Sequence, residues 1–144
     1  MSVLVFVEIA DGKIKKAAYE AAYYAPKTAE LTGTTAEAVV LGTAGADELA
    51  NLGNFGIAKI HHANDARFNT FDSKAFAKAI AEKAAVADIV VLSFGPNGKL
   101  LAPRVAVRLK AGYVPGAAEL PTFEGGALKV VKNVFSGKAK AFYQ

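Results

Sequence analysis

The sequence predicts a three-layer α/β domain: a parallel sheet of about four or five strands, helices on both faces, and antiparallel strands near the C-terminus. Three observations carry that expectation. Ile89, Val90, Val91 and Leu92 form a continuous apolar, β-branched run, the pattern of a central parallel strand covered on both faces. Before it, strand-like and helix-like stretches alternate. After Gly112 the pattern changes to short apolar stretches broken by Pro115, Pro121, Gly125, Gly126 and Gly137.

Residues 2–7 make a first strand, followed by a turn at Asp11 and Gly12. Residues 13–30, rich in alanine and other strong helix formers, predict a helix with Ala17, Ala21 and Tyr24 on one face. Pro26 is expected to end or kink it near Tyr24 or Ala25. Residues 36–41 read as the second strand, and Gly42, Thr43, Ala44 and Gly45 as the turn after it. That turn matches neither the dinucleotide fingerprint nor a P-loop, so its glycines are read as serving a tight turn.

A short helix over 47–54 and an edge-like third strand over 57–62 follow. His61 and His62, adjacent on that strand, point to opposite faces and share no metal ion; no metal site is expected. Phe68 and Phe71 anchor the next loop. Ser73 is expected to cap a helix whose Phe76, Ile80 and Ala84 face the core while Lys78, Glu82 and Lys83 face water. That helix leads into the 89–92 strand. Ser93 lacks a nucleophile elbow, and Gly98-Lys99 lacks the rest of a P-loop.

The last helix is expected to begin between Lys99 and Ala102, so that Pro103 falls in its first turn, with Leu101, Val105 and Leu109 inward. Its positive end then faces the crest of the strand, where open α/β sheets place ligands. Gly95, Asn97 and Gly98 are the candidates for phosphate contact there. Arg104 and Arg108, four apart, could hold a carboxylate or phosphate, an intramolecular ion pair being the commoner explanation; Arg104, read as lying near the helix N-terminus, is unfavourable to the helix dipole and so suggests an acidic partner.

Composition bounds the class. A chain of 144 residues, 53% of them hydrophobic, is one domain able to bury a substantial core. No apolar run approaches the ~18 residues needed to cross a bilayer, so no membrane insertion is expected. Zero cysteines exclude disulfides, thiolate metal sites and Cys nucleophiles. The start, MSVLVFVE, reads as a strand rather than a signal peptide, so a cytoplasmic location is expected. The net charge of +4 is concentrated where Lys129, Lys132, Lys138 and Lys140 follow Glu124 with no acid among them. Such lysines protect a strand edge or meet an acidic partner; nucleic acid is not expected without a recognisable module.

Three blocks carry a resemblance: VLVFVEIADGKIKKAAYEA, GKLLAPRVAVRLKAGYV and VFSGKAKAF. In that order, and spanning nearly the whole chain, they resemble the N-terminal domain of the electron transfer flavoprotein alpha subunit. Ile9 stands where that family commonly has His, and Pro115-Gly116 where it commonly has Ser-Asp. The resemblance implies a Rossmann-like fold of the adenine nucleotide alpha hydrolase-like type. It also implies that the complete protein is an alpha–beta heterodimer carrying FAD, which takes electrons from acyl-CoA dehydrogenases and related flavoenzymes and passes them to a membrane quinone reductase. That role is an electron carrier's, not an enzyme's.

By the resemblance, residues 1–144 are a single domain that holds the beta subunit and shapes the cradle for a C-terminal FAD-binding domain absent from this chain. No FAD is expected to bind this stretch alone. The chain stops within a strand-like pattern, so a continuation is expected. Phe135, Phe142 and Tyr143, large apolar groups near its end, are expected with Arg104 to face the partners. Two other readings are a free-standing adenine-nucleotide-binding module using the turn at 93–98, and a purely structural interaction domain.

Overall fold

A computed structural model describes residues 3–31, 33–93 and 95–110 in full, and the backbone of three further strands, 122–124, 127–134 and 137–143. The α/β class stands. Strands β1 (Val3–Phe6), β4 (Ala36–Leu41), β5 (Ile57–Ala63) and β6 (Ile89–Leu92) form a parallel sheet in the order β5-β4-β1-β6. β7 (Thr122–Glu124), β8 (Ala127–Val134) and β9 (Gly137–Tyr143) pair antiparallel in a sheet of their own, rather than extending the parallel one as expected.

Alternation along the central strands divides the core into two layers. Val3, Val5, Val7, Ala36, Ala38 and Val40 face helix α1 (Lys16–Leu31), whose Ala18, Ala21, Ala22, Ala25 and Ala29 bring its backbone close to the sheet. Leu4, Phe6, Val39 and Leu41 face helices α3 (Ser73–Ala84) and α4 (Pro96–Leu109), meeting Phe76, Ile80, Leu101 and Val105. The expected inward face of α3 is the observed one. On α1 the buried stripe lies one residue further on, and Ala17 is exposed.

The 89–92 run is a parallel strand, but not a central one among the described strands. It lies at the edge of the four, and its residues are only half-buried, whereas β1 is buried throughout. A continuous apolar run cannot by itself distinguish these positions, because the second neighbour is set by tertiary topology.

Pro26 lies inside a helix, contrary to expectation: it sits in α1, which runs on to Leu31. Its ring packs beside Gly56, where a Cβ would lie 3.3 Å from Pro26 Cβ, and the next turn is pinned by buried Thr28, whose Oγ1 donates to the Tyr24 carbonyl at 3.0 Å. Burial of the whole alanine face outweighs the ~3 kcal/mol a proline costs in a helix interior. Gly56 ends the 3-10 turn Asn51–Phe55, which follows the short helix α2 (Ala46–Ala50), and its φ of 95° lies where a side chain is strained. Gly56→Ala is therefore expected to cost about 1–2 kcal/mol, measured by urea denaturation.

Residues 13 and 14 are not the start of α1. β2 (Ile9–Ala10) and β3 (Lys13–Ile14) pair antiparallel around Asp11 (φ 52°) and Gly12 (φ 77°), positive φ at both central residues being the signature of the tight hairpin turn that Asp-Gly favours. The hairpin is tied to α2 where Ile14 N donates to Glu48 Oε1 at 2.8 Å.

Candidate functional site

The sheet order places the topological switch point between β1 and β6. From β1 the chain moves outward through β4 to β5, then crosses back to β6 on the other side of β1. The crevice at the carboxyl ends of these two strands is where open α/β sheets hold ligands. Glu8 follows β1 there, Ser93 and Gly95 follow β6, and α4 begins.

α4 starts at Pro96, earlier than the sequence suggests. Proline at N1 forfeits only a donor that no intrahelical acceptor needs, and Gly95 caps the helix in extended geometry. This start makes Pro103 the eighth residue of the helix, not part of its first turn. Arg104 is therefore mid-helix and exposed, so the argument from the helix dipole does not apply to it.

The crest is held together by one carboxylate. Glu8 is 7% exposed, and its Oε2 accepts from Lys15 Nζ at 3.0 Å and from Asn97 Nδ2. The Glu8 carbonyl also accepts from Lys15 N at 3.0 Å. A single side chain thus joins the end of β1, the β2–β3 hairpin and the first turn of α4, where its charge also faces the positive end of the helix. Gly98 is buried, and a Cβ there would run into the Ser93 carbonyl oxygen, so α4 lies directly on the strand exit.

Of the candidates for phosphate contact, Asn97 is turned to Glu8, Gly98 is packed against Ser93, and Gly95 is the half-buried cap. A phosphate cradle needs converging N–H donors, and at this crest the Asn97 side-chain amide is instead given to the Glu8 carboxylate. Glu8 was not singled out from sequence. Its signal was a lone acid closing a run of buried apolar residues where a strand meets the crest.

The turn after β4 is likewise committed internally. Gly42 has φ 109° and donates its N–H to the Ala63 carbonyl; Thr43 N donates to Asn69 Oδ1 at 2.8 Å. The two histidines diverge as expected. His61 Nε2 meets Glu37 Oε1 at 2.7 Å, and His62 Nε2 donates to the Gly42 carbonyl at 2.6 Å. Among the described residues no group of three or more His, Asp or Glu could hold a metal ion.

The helix that follows is capped by Asp72, not Ser73. Asp72 Oδ1 accepts from Lys74 N at 3.0 Å and Ala75 N at 3.4 Å, because the first intrahelical bond, Phe76 N to the Asp72 carbonyl, makes Asp72 the N-cap. Phe68 and Phe71 do anchor the loop, their rings 5.4 and 5.0 Å from that of Phe76. In that loop Asp65 forks onto Arg67, whose guanidinium holds the carboxyl below its usual value. A depressed folded value means that this link stabilises above the ordinary carboxylate range and is lost as pH falls through the folded value.

Phe135 lies outside the described residues. Phe142 and Tyr143 lie in β9 by backbone, opposite Lys129 and Leu128.

Comparison with known proteins fixes what these elements descend from. The electron transfer flavoprotein domain matches residues 3–143. The chain belongs to that family. It is also 29% identical over 139 residues to the electron transfer flavoprotein subunit alpha of Thermoanaerobacterium thermosaccharolyticum. That alignment covers 95% of this chain and 42% of the relative, so the chain spans less than half the length of the alpha subunit it matches. The resemblance to the N-terminal domain of an electron transfer flavoprotein alpha subunit stands on both findings. Among the described residues of this electron transfer flavoprotein domain, no helix is long and apolar enough to cross a membrane.

Proposed function

We propose that this chain is the N-terminal scaffold domain of a cytoplasmic electron transfer flavoprotein alpha subunit, holding a beta subunit and shaping the seat of a flavin domain that lies outside these residues. The family match over residues 3–143 carries the reading, and the 42% coverage of the alpha-subunit relative leaves room for a flavin domain elsewhere in such a chain. In the complete heterodimer FAD supplies the electron-accepting and electron-donating chemistry. The donors are acyl-CoA dehydrogenases and related flavoenzymes, and the acceptor is a membrane quinone reductase. On this reading the assembly is a carrier rather than an enzyme that turns over a metabolite.

Among the described residues, those at the crest support a scaffolding role rather than flavin contact. The crest is filled by Glu8, Lys15 and Asn97, and the turn at Gly42 spends its donors on Ala63 and Asn69. The purified 144-residue chain is accordingly expected to be colourless and to bind FAD no more tightly than about millimolar, since buried flavin needs contacts on several sides. Flavin fluorescence quenching measures this, and a yellow, flavin-saturated preparation would overturn the reading. Calorimetry with AMP or ATP tests the nucleotide-module reading, for which no heat is expected.

A further inference from the structure

α3 and α4 lie side by side on one face of the sheet, yet their outward faces differ. Outward from α3 are Lys74, Lys78, Glu82 and Lys83, a solvated face. α4 is apolar on both sides: Leu101 and Val105 enter the core at 0% and 2% exposure, while Leu100 and Val107 stand 54% and 78% exposed. Seven residues apart, these two share a stripe with Pro103 and Arg104 between them. Arg104 and Arg108 are exposed, and neither forms an ion pair among the described residues. From Pro96 to Lys110 there is no acidic residue.

We infer that the outward face of α4, with Leu100, Pro103 and Val107 at its centre and Arg104 and Arg108 on its rim, is a docking surface for a protein partner that presents an apolar patch edged by carboxylates. Charge chooses the occupant. A second copy of this chain meeting α4 on α4 about a two-fold axis sets arginines against arginines with no carboxylate between them. An anionic bilayer would satisfy the arginines, but two aliphatic side chains on a helix whose other face is buried give little area to insert. A carboxylate-edged protein surface satisfies both the stripe and its rim.

This inference rests on the proposed function for its probe, the beta subunit of the same organism. Binding is measured for the full chain, for Leu100→Asp/Val107→Asp, for Arg104→Glu, and for Lys78→Glu/Lys83→Glu on α3 as control, with melting temperature for each. Exposed positions away from the core leave melting within about 2 °C of the parent. The apolar pair is expected to weaken binding at least about 100-fold and Arg104→Glu at least about tenfold, with the α3 control unchanged. Parent binding that survives the α4 substitutions overturns the docking surface and leaves the proposed function intact. A parent chain that does not bind the beta subunit overturns the proposed function and this inference together. Substitutions that abolish instead a dimer seen by sedimentation, or binding to phosphatidylserine vesicles, overturn the choice of partner.

Discussion

Replacing Gly98 with alanine is expected to lower the melting temperature by roughly 10 °C, from a loss of about 3 kcal/mol. Gly98 is the third residue of α4, buried, and the new Cβ would collide with the Ser93 carbonyl oxygen and lie 3.1 Å from its carbon. Neither side can yield cheaply. Ser93 is the exit of β6, fixed by its pairing to β1, and the start of α4 is held by Asn97 on Glu8 and by Leu101 in the core. The collision is with backbone, so no rotamer change relieves it. Gly95 is the internal control: nothing lies within 4 Å of a Cβ there, and its φ of −101° suits any residue. Gly95→Ala is expected to change stability by less than about 0.5 kcal/mol. Equal melting of the two variants would show that α4 does not rest on the strand exit as described.

The same contact shows where sequence reading stops. The layers were legible because they rest on period: alternation puts Val3 and Val5 on one face and Leu4 and Phe6 on the other, and Phe76, Ile80 and Ala84 recur as a helical face must. What failed were local rules that tertiary packing overrides. Pro26 and Pro103 signal helix ends, but Pro26 continues because an alanine face is buried around it and Gly56 makes space for its ring. Asp72 and Ser73 are equally good caps by type, and only the phase of the first hydrogen bond separates them. Because α4 starts at Pro96 rather than between Lys99 and Ala102, Arg104 lies away from the helix end, where the dipole argument does not reach it, as an exposed cation on a half-apolar face. The Gly95 to Gly98 turn was legible as a turn. Its use was not, because its partner Glu8 is 89 residues from Asn97 in sequence.

Glu8→Ala is expected to cost about 2–4 kcal/mol and to loosen two elements together, the β2–β3 hairpin and the first turn of α4. The carboxylate is buried, and removing it strips Lys15 Nζ and Asn97 Nδ2 of a shared acceptor. Lys15 is 40% exposed at its side chain and recovers water, so its share of the loss is small; most comes from Asn97 and from the cavity left beneath it. Glu8→Gln keeps the volume and one acceptor oxygen, and should lose about half as much. Lys15→Met, which removes only the exposed partner, should cost less than about 1 kcal/mol. Hydrogen exchange gives the readout that bulk stability cannot. If Glu8 joins the elements, Glu8→Ala speeds exchange at Lys15 N and at Lys99 N, whose acceptors are the Glu8 and Gly95 carbonyls, while Val5 and Val39 in the central strands keep their protection relative to the global unfolding limit. Faster exchange at only one of these two sites, or a stability change below about 0.5 kcal/mol, would mean that the crest is not held by this carboxylate.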